Sequence, residues 1–522
     1  MKYAVFGIGD SAYCFFCKAA VQVDGWLGAL GASRLLETGL GDDQDVDRYD
    51  TAFSQWSPNL WGALNLPPMK EVVGEPDPVY TATLGPAGPG AAPKPKHEPA
   101  WRPLLLDKGT THIRMVENRR ITPEGSDRDV RHIALDVSDR PDLHYSVGDA
   151  LAIYPRNRPT EAAEFAVWYG LDPTATVALE RIAGPDGELV HGLNRPKPEL
   201  PEGFTVQDLF TDVLDLFGRP SIRFYEALVR YAKDPKEEAS LRKLMSRTAE
   251  GQAAFAALLA ESVTFADILR RYPSARLPLH ALADLVPSLK PRYYSIASAR
   301  RRRRDVLELV VVVVDWLAKG GKLRVGSCTG YLQTLDDTEV PEGEGGGHWL
   351  ACSLRPSAGL CMPPKSEAPI VMAALGTGVA PMRAICQERE WQMEQGKTTG
   401  ETALFFGCRH RTGPRGDYLC GDEWQEYLDK GVLTHLRVAF SRDQAHKIYI
   451  TDKLVEEADL LYDLLVKKGG YFFFCGSRAA VDGVRNAVER ALAQSGGLTD
   501  EEARQRVESM TIMGHYVAEA WS

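Results

Sequence analysis

A pair of glycines in the last third of the chain lies where an apolar run changes into a helical pattern. The run begins at Pro369 and leads into Gly376, Thr377 and Gly378, and Pro381 occupies the first turn of the helix that follows. Glycines let a backbone approach a pyrophosphate closely, and the first turn of a helix offers free amide hydrogens and the positive end of its dipole. A purely structural tight turn would use the same residues, so both interpretations stand at this point.

A basic loop, SRDQAHKIYI, follows another apolar run that ends at Phe440. It contains the hydroxyl of Ser441, the cations Arg442 and Lys447, and the ring of Tyr449. A phosphate on the 2′ position of an adenosine needs charge-assisted donors, whereas a free ribose hydroxyl is usually met by a carboxylate. The loop therefore favours NADPH over NADH, and a solvated basic loop is the alternative.

A third segment, RYYSIAS, combines a cation with two aromatic rings on a predicted strand. Because side chains alternate along a strand, Arg292 and Tyr294 share one face and Ser295 points to the other. Tyr294 can then present its ring to a planar ligand while Arg292 meets a diphosphate. The later GSCTGYL segment adds a close-approach turn with hydroxyl donors over residues 326–329.

The elements that must position these residues follow a definite order along the chain. A β-rich stretch covers residues 101–156, a helical pattern covers about 159–289, and strands return at 292–298 and 306–314. This order predicts one β-barrel split by a helical insertion. From Pro369 onward, strand, glycine-rich turn and helix repeat, which indicates a doubly wound parallel sheet.

Composition and charge narrow the class of protein. The 522 residues exceed what one core organises and suggest about three domains. Apolar residues make up 44% and charged residues 25%, as in an ordinary globular protein, and the net charge of −10 argues against nucleic acid as the main partner. No apolar stretch approaches the roughly 20 residues of a membrane span, so no membrane insertion is predicted.

The cysteines and one arginine run carry weaker signals. Nine cysteines are scattered without zinc-ligand spacing, so no metal site is predicted and reduced thiols in the cytoplasm are expected. Cys14 and Cys17 form a CxxC that no second such pair accompanies. The run Arg300–Arg304 lies between two predicted strands and is interpreted as a solvated hairpin, with a nuclear signal or an anion patch as alternatives.

Taken in order, the motifs RYYS, GSCT, GTGVAP, FFGCRH, SRDQAHKIYI and FFCGS resemble those of the ferredoxin–NADP reductase superfamily in its diflavin branch. The branch includes cytochrome P450 reductase and the sulfite reductase flavoprotein. Segments such as GLGDDQD, WSPNLW and VVVVDW are most similar to the sulfite reductase flavoprotein and to pyruvate:NADP oxidoreductase. The resemblance covers nearly the whole chain after Trp101 and implies FAD, NADPH and FMN as cofactors.

The resemblance also divides the chain and defines its fold class. An α/β protein with a β-barrel is expected, in which a partial flavodoxin-like segment precedes an FAD-binding antiparallel barrel and a doubly wound parallel NADP-binding sheet. The expected parts are the C-terminal part of an FMN domain (1–64), a linker rich in Pro, Gly and Ala (65–100), the FAD-binding barrel with its helical connecting insertion at about 159–289 (101–365) and the NADPH-binding domain (366–522).

Site residues follow from the resemblance position by position. The implied FAD contacts are Arg292, Tyr293, Tyr294, Ser295, Gly326, Ser327, Cys328 and Thr329. The implied NADPH contacts are Thr377, Arg409, Ser441, Arg442, Lys447, Tyr449 and Thr451, the last of which stands where the family has a glutamine.

Four residues are implied to act around the reacting atoms. Ser295, Cys475 and Glu519 match a polar trio beside the hydride path, with glutamate where P450 reductase has aspartate. Trp521 matches a terminal aromatic that covers the flavin and moves aside when nicotinamide stacks on it. Hydride would pass from NADPH to the flavin, which then releases its two electrons singly.

The first sixty residues resemble the second half of a flavodoxin domain, in which Tyr13 would stack on FMN. A flavodoxin sheet has five parallel strands, and only the last two are expected here. The FMN site is therefore expected to be incomplete, and its missing strands to come from upstream of a doubtful Met1 or from a second subunit.

The expected partner is a metalloprotein that accepts electrons at sirohaem, an iron–sulfur centre or haem. A sulfite reductase flavoprotein type is favoured over a P450 reductase type and over the reductase tail of a pyruvate:NADP oxidoreductase. A non-catalytic scaffold is the alternative of another class, and the intact RYYS and GSCT motifs and Trp521 argue against it.

Overall fold

The computed structural model describes residues 1–9, 16–43, 45, 49–66, 78–87, 106, 109–183, 197–246, 248–335, 348–357 and 359–521. For Asp50, Thr51, Ala87 and Trp521 it describes the backbone only. None of the helices in these ranges combines the length and the apolar character that crossing a bilayer requires.

The amino-terminal segment is a small α/β unit with two pairs of parallel strands. Its elements are β1 (Lys2–Tyr3), β2 (Phe6–Gly9), α1 (Lys18–Ala29), β3 (Ser33–Arg34), β4 (Gly39–Asp42) and α2 (Tyr49–Ala63). Strand β1 pairs with β3, and β2 pairs with β4. The ring of Phe6 packs against Phe53 and Trp56, which holds α2 on β2. Trp26 on α1 and Leu30, which directly follows the helix, are exposed.

In the middle of the chain, the described residues form ten strands and eight α-helices. The strands are β5 (Tyr80–Ala87), β6 (Thr111–Arg120), β7 (Val130–Asp136), β8 (Ala150–Ile153), β9 (Ala175–Arg181), β10 (Arg292–Ser295), β11 (Val306–Val312), β12 (Asp315–Leu317), β13 (Leu323–Val325) and β14 (His348–Arg355). The helices are α3 (Pro159–Trp168), α4 (Val206–Asp208), α5 (Ile222–Val229), α6 (Pro235–Leu244), α7 (Ala249–Ala260), α8 (Phe265–Arg271), α9 (Leu279–Leu285) and α10 (Ser327–Gln333).

Six of these strands form an antiparallel sheet in the order β10–β8–β14–β6–β7–β11. An isolated bridge between Ile296 and Leu309 joins the two outer strands and closes the sheet into a barrel. Alternate residues of β7 and β11, among them Ile133, Leu135 and Leu307, point into its buried core. The predicted antiparallel barrel is confirmed.

The helical insertion has its own core, in which Phe165, Phe210, Phe224 and Phe265 are almost fully buried. Local sequence defines where its helices begin. At α8, for example, the Thr264 hydroxyl accepts a 3.1 Å hydrogen bond from the Asp267 amide, and the Asp267 carboxylate accepts one of 3.0 Å from the Thr264 amide.

Two short strands depart from the sequence-based division of the chain. Strand β5 lies inside the predicted linker 65–100, and it pairs antiparallel with β9, which lies inside the predicted helical insertion. Residues 80–87 of the predicted linker therefore form a strand that the sequence did not indicate. The β-prone run that begins at Tyr80 does not stand out in the sequence, because Pro and Gly residues surround it. The Tyr80 side chain is buried, and its hydroxyl accepts a hydrogen bond from the Lys197 amide.

The carboxy-terminal domain is a five-stranded parallel sheet in the order β17–β16–β15–β18–β19. Its strands are β15 (Ile370–Leu375), β16 (Thr402–Cys408), β17 (His435–Phe440), β18 (Tyr471–Ser477) and β19 (Tyr516–Trp521). Its helices are α11 (Val379–Glu394), α12 (Gly421–Asp429), α13 (Ile450–Glu456), α14 (Ala458–Tyr462), α15 (Val481–Gly496) and α16 (Asp500–Ile512). The strand order reverses at β15, as in the predicted doubly wound sheet.

The barrel and the sheet share a continuous interface along α11. Barrel residues Ala297 and Val310 pack in the same apolar cluster as Met372 and Ile385 of the sheet domain. On α11, Arg383 donates 3.0 Å and 2.7 Å hydrogen bonds to the Ala297 carbonyl and the Glu308 carboxylate of the barrel.

The arginine run forms the turn between β10 and β11, and its side chains are partly exposed, as the hairpin interpretation predicts. Two of them also contact the sheet domain. Arg301 pairs with Glu388 at 2.9 Å and Arg302 with Glu390 at 3.0 Å, both acceptors being on α11. The run therefore contributes to the interface between barrel and sheet.

Candidate active site

The loops that follow β15, β16 and β17 meet at the carboxyl edge of the parallel sheet, where open α/β sheets bind ligands. After β15, residues Gly376–Gly378 form a single tight turn that leads into α11. Gly376 has a φ of +52°, which side chains disfavour, and an added Cβ there would lie 3.8 Å from Nη1 of Arg128. Thr377 lies at the centre of this turn.

Backbone hydrogen bonds tie the loops after β16 and β17 together. The Ser441 amide donates to the Cys408 carbonyl, and the Arg442 amide donates to the Arg409 carbonyl, both at 2.9 Å. One carboxylate oxygen of Asp417 accepts hydrogen bonds from the Arg409 amide at 2.9 Å and from the His410 amide at 2.7 Å. Arg409, Ser441 and Arg442 are thus held in one rigid layer, although they lie far apart in the sequence.

The rest of the predicted basic loop leads into α13. Tyr449 is 49% exposed and directly precedes the helix, and its amide donates a 2.8 Å hydrogen bond to the Asp452 carboxylate. Thr451 lies in the first turn of α13, and Lys447 is exposed before it. The predicted NADPH residues therefore all lie along one edge of the sheet.

Sequence reasoning missed Arg128, which reaches this edge from the loop between β6 and β7. Burial, and next the like charge of Arg409, lower the pKa of the Arg128 guanidinium. Arg128, Arg409 and Arg442 therefore concentrate positive charge beside the Gly376 turn. Such a site fits a ligand with several phosphates, since each guanidinium can donate two hydrogen bonds to phosphate oxygens.

On the barrel, β10 places its residues as the alternation rule predicts. Arg292 lies opposite Ile153 and Tyr294 opposite Leu151, whereas Ser295 lies opposite Ala150 on the other face. The ring of Tyr294 packs against the barrel core, and burial, followed by the neighbouring Cys328, raises its pKa well above the ordinary value.

Tyr293 is the more exposed of the two aromatic rings. It is 54% exposed, and the guanidinium of Arg355 lies over its ring at 5.1 Å. Arg292 is exposed beside it, and its Nη1 donates to the Lys290 carbonyl at 3.0 Å. The strand thus presents a ring and cations at the barrel surface, which fits a planar ligand bearing a diphosphate.

The GSCT segment forms a turn that its own side chains hold. Thr329 Oγ1 accepts a 3.1 Å hydrogen bond from the Val314 amide, and the Cys328 thiol donates to the Ile153 carbonyl. Both side chains are buried. Thr329 Oγ1 donates a 3.4 Å hydrogen bond to the Gly326 carbonyl, so the expected hydroxyl donation is directed within the protein. Gly326 and Ser327 lie at the start of α10, where helical amides lack intrahelical partners.

Two members of the predicted polar trio come together by strand pairing. Cys475 on β18 and Glu519 on β19 are directly opposite each other. Burial, and next the charge of Glu519, raise the pKa of the Cys475 thiol well above its ordinary value, so it stays protonated. Ser295 comes from the barrel strand β10.

Ser357 is a second residue that sequence reasoning missed. Its Oγ donates a 3.1 Å hydrogen bond to Glu519, and its amide donates a 2.9 Å hydrogen bond to the carboxylate of Asp149. The Leu360 amide also donates to Glu519. Burial outweighs both contacts and raises the pKa of Glu519. The side chain that positions this carboxylate thus comes from the connection between barrel and sheet.

Two predicted residues fall outside what the structure describes. Tyr13 is not among the described residues, and neither is the side chain of Trp521. The backbone of Trp521 ends β19 opposite Ser477, two positions beyond the pair of Glu519 and Cys475.

Comparison with known protein families matches the same three parts of the chain. The family models are those for the flavodoxin (residues 1–56), the FAD binding domain (residues 106–331) and the oxidoreductase NAD-binding domain (residues 372–486). The flavodoxin match is partial, as expected for an incomplete FMN site.

Individual relatives extend these matches. The mitochondrial pyruvate dehydrogenase [NADP(+)] of Euglena gracilis is 35% identical over all of this chain, which spans 26% of that protein. NADPH–cytochrome P450 reductase of Cavia porcellus is 32% identical over all of this chain and 76% of its own length. The sulfite reductase [NADPH] flavoprotein component of Saccharomyces cerevisiae is 36% identical over 73% of this chain and 34% of its own length. The chain therefore belongs to the diflavin reductase family of NADPH-dependent flavin oxidoreductases.

Proposed function

We propose that this chain takes electrons from NADPH onto FAD and delivers them singly, through FMN, to a metalloprotein acceptor. The observation that carries the proposal is the convergence of Arg128, Arg409 and Arg442 at the Gly376 turn, next to the strand pair that bears Cys475 and Glu519. Nicotinamide and flavin supply the hydride chemistry, and the protein binds, orients and shields them.

Individual residues then have distinct tasks in the proposal. The guanidiniums hold the phosphates of NADPH, with Ser441, Lys447 and Tyr449 around the adenosine end. Arg292 and the 326–329 turn hold the FAD diphosphate, and Tyr294 lies against the flavin. Trp521 excludes NADH and water by covering the flavin until the nicotinamide replaces it.

Cys475 and Glu519 would define the polarity around the reacting carbon. Because burial keeps the Cys475 thiol neutral, it adds no negative charge that would oppose the arrival of hydride at the flavin. Ser357 keeps the Glu519 carboxylate turned toward this strand pair, and Ser295 would approach from the barrel side.

Two classes of acceptor are candidates, and each has an observation in its favour. An iron–sulfur or sirohaem protein is favoured by the similarity to the pyruvate dehydrogenase [NADP(+)] and the sulfite reductase flavoprotein component, at 35% and 36% identity. A haem protein is favoured by the P450 reductase, of which this chain spans 76%.

Flavin extraction and acceptor assays test the proposal. The purified chain should release about one FAD per chain and little FMN, because its flavodoxin part is incomplete. NADPH should then reduce ferricyanide rapidly and cytochrome c poorly. A protein that folds, binds NADP⁺ and carries no flavin would contradict the proposal, and assays with a sirohaem protein, an iron–sulfur ferredoxin and a haem protein would distinguish the acceptors.

A further inference from the structure

A carboxylate of the barrel already forms an ion pair with Arg409, one of the cations of the candidate nucleotide site. Asp127 lies in the loop between β6 and β7, and its Oδ2 accepts a hydrogen bond from Nη1 of Arg409 in the sheet domain. The Asp127 side chain is 68% exposed, whereas that of Arg409 is 21% exposed. The acidic group therefore covers the basic group from the solvent side.

Three guanidiniums surround this carboxylate. Partial burial acts to raise the pKa of Asp127, but its hydrogen bond to Arg409, and then the charges of Arg409, Arg128 and Arg442, hold that pKa below the ordinary value. Burial, and next the like charge of Arg409, lower the pKa of Arg128, so the arginines also repel one another. Asp127 is thus placed where a phosphate oxygen would relieve this repulsion.

The loop that carries Asp127 is braced, so the backbone cannot easily carry the carboxylate away. Thr122 Oγ1 accepts a 3.0 Å hydrogen bond from the Val130 amide and donates one of 2.7 Å to the Arg128 carbonyl. At the tip, a Cβ on Gly125 would lie 2.9 Å from the Pro414 carbonyl oxygen of the sheet domain. Displacement of Asp127 from Arg409 therefore requires only a rotation of its exposed side chain.

We propose that Asp127 is an internal competitor for the nucleotide: it pairs with Arg409 in the free protein and must leave that guanidinium when a phosphate of NADPH or NADP⁺ binds. The inference rests on the proposed function, since it assumes that this cluster binds NADP(H). An exposed ion pair is weak, so its loss costs the nucleotide only part of its affinity. Its return beside bound NADP⁺ repels the phosphate and favours release of the product.

The test compares NADP⁺ binding to the full chain and to three variants by isothermal titration calorimetry. Asp127→Asn keeps the size of the side chain and removes its charge, and Asp127→Glu keeps the charge. Glu124→Gln removes the charge of another exposed carboxylate in the same loop and is the matched control. Dissociation of NADP⁺ is measured in parallel by stopped flow.

Asp127→Asn should bind NADP⁺ about fivefold more tightly at low salt and release it more slowly, and the gain should shrink at high salt. Asp127→Glu and Glu124→Gln should stay near the wild-type affinity. Unchanged or weaker binding by Asp127→Asn would overturn the inference. The ion pair of Asp127 with Arg409 would then only stabilise the contact between barrel and sheet. Failure of the wild-type chain to bind NADP⁺ would instead overturn the proposed function, on which the inference depends.

Discussion

Glu519 accepts a 3.1 Å hydrogen bond from Oγ of Ser357 while lying directly opposite Cys475 on the neighbouring parallel strand. One contact links the carboxylate to the connection between barrel and sheet, and the other places it beside a thiol that stays protonated. Because burial raises the pKa of Glu519, this carboxylate makes the stability of the protein depend on pH.

The Glu519→Gln variant tests that dependence. A carboxyl whose pKa is raised on folding stays protonated in the folded state after the unfolded chain has lost its proton, so stability falls as the pH rises above the ordinary value of 4.5. Glutamine lacks this penalty. The melting temperature of the variant minus that of the wild type should therefore increase from pH 4.5 toward neutrality, as differential scanning fluorimetry can measure.

Glu508→Gln is the control, because Glu508 is an exposed glutamate on the helix that precedes β19. The melting temperature of Glu508→Gln minus that of the wild type should stay constant over the same pH range. If the difference in melting temperature between Glu519→Gln and the wild type were also independent of pH, Glu519 would not be held in a buried environment.

The buried contact between Arg383 and Glu308 predicts a large loss of stability. Arg383 also donates a 2.6 Å hydrogen bond to Glu423, and its side chain is only 6% exposed. Removing one partner of a buried pair leaves uncompensated charge, so Arg383→Ala should lower the free energy of unfolding by about 3–5 kcal/mol. Denaturant titration followed by tryptophan fluorescence measures this.

The matched control is Arg304→Ala, which removes an exposed arginine from the turn between β10 and β11. It should change the free energy of unfolding by less than about 0.5 kcal/mol. If the two variants were equally stable, the interface along α11 would not depend on Arg383.

Arg442 should discriminate NADPH from NADH. Its amide is bonded to Arg409, so the position of the loop does not depend on its side chain. Loss of a charge-assisted contact to the 2′-phosphate should raise the KM for NADPH about ten- to hundredfold in Arg442→Ala and leave that for NADH nearly unchanged. Steady-state ferricyanide reduction with both nucleotides gives the two values.

Exposed Arg415, in the nearby loop before α12, supplies the comparison. Arg415→Ala has the same charge change and should leave both KM values close to the wild type. An equal rise in the two KM values for Arg442→Ala would indicate damage to the shared part of the nucleotide site.

Trp521 is predicted to cover the flavin, so Trp521→Ala should admit nicotinamide without the cost of displacing a ring. The kcat/KM for NADH should rise relative to that for NADPH by about tenfold. Trp316→Ala, which removes an exposed tryptophan from the hairpin of β12 and β13, should not alter the ratio. If Trp521→Ala left the ratio of the two kcat/KM values unaltered, Trp521 would not be the residue that covers the flavin.

Much of the site could be predicted because its motifs lie directly at strand ends. The turn at Gly376, the basic loop after β17 and the alternation on β10 all depend on residues within a few positions of one another. Arg128, Asp127 and Ser357 could not be predicted in this way, because each reaches the site from another part of the fold. Their local sequences resemble ordinary polar loops, and only the docking of barrel on sheet gives them a partner.

The same limit explains why the strand that begins at Tyr80 was not predicted. This strand has no hydrophobic pattern long enough to stand out from the proline-rich surroundings, and it depends on β9, which is distant in sequence. The exposed ring of Tyr293 is a similar case, since alternation assigns faces to a strand and only the closed barrel determines how much of each face is covered.

The burial of α11 on both sides limits how this protein can be divided or recombined. Ala384, Ile385 and Cys386 are fully buried, and even Gln387 and Arg389 are almost inaccessible. A parallel sheet expressed alone, or grafted onto a foreign barrel, would expose the apolar side chains of this helix to water and leave its ion pairs to Arg301, Arg302 and Glu308 without partners. A chimeric reductase should therefore receive the barrel and the sheet together, because α11 packs against both.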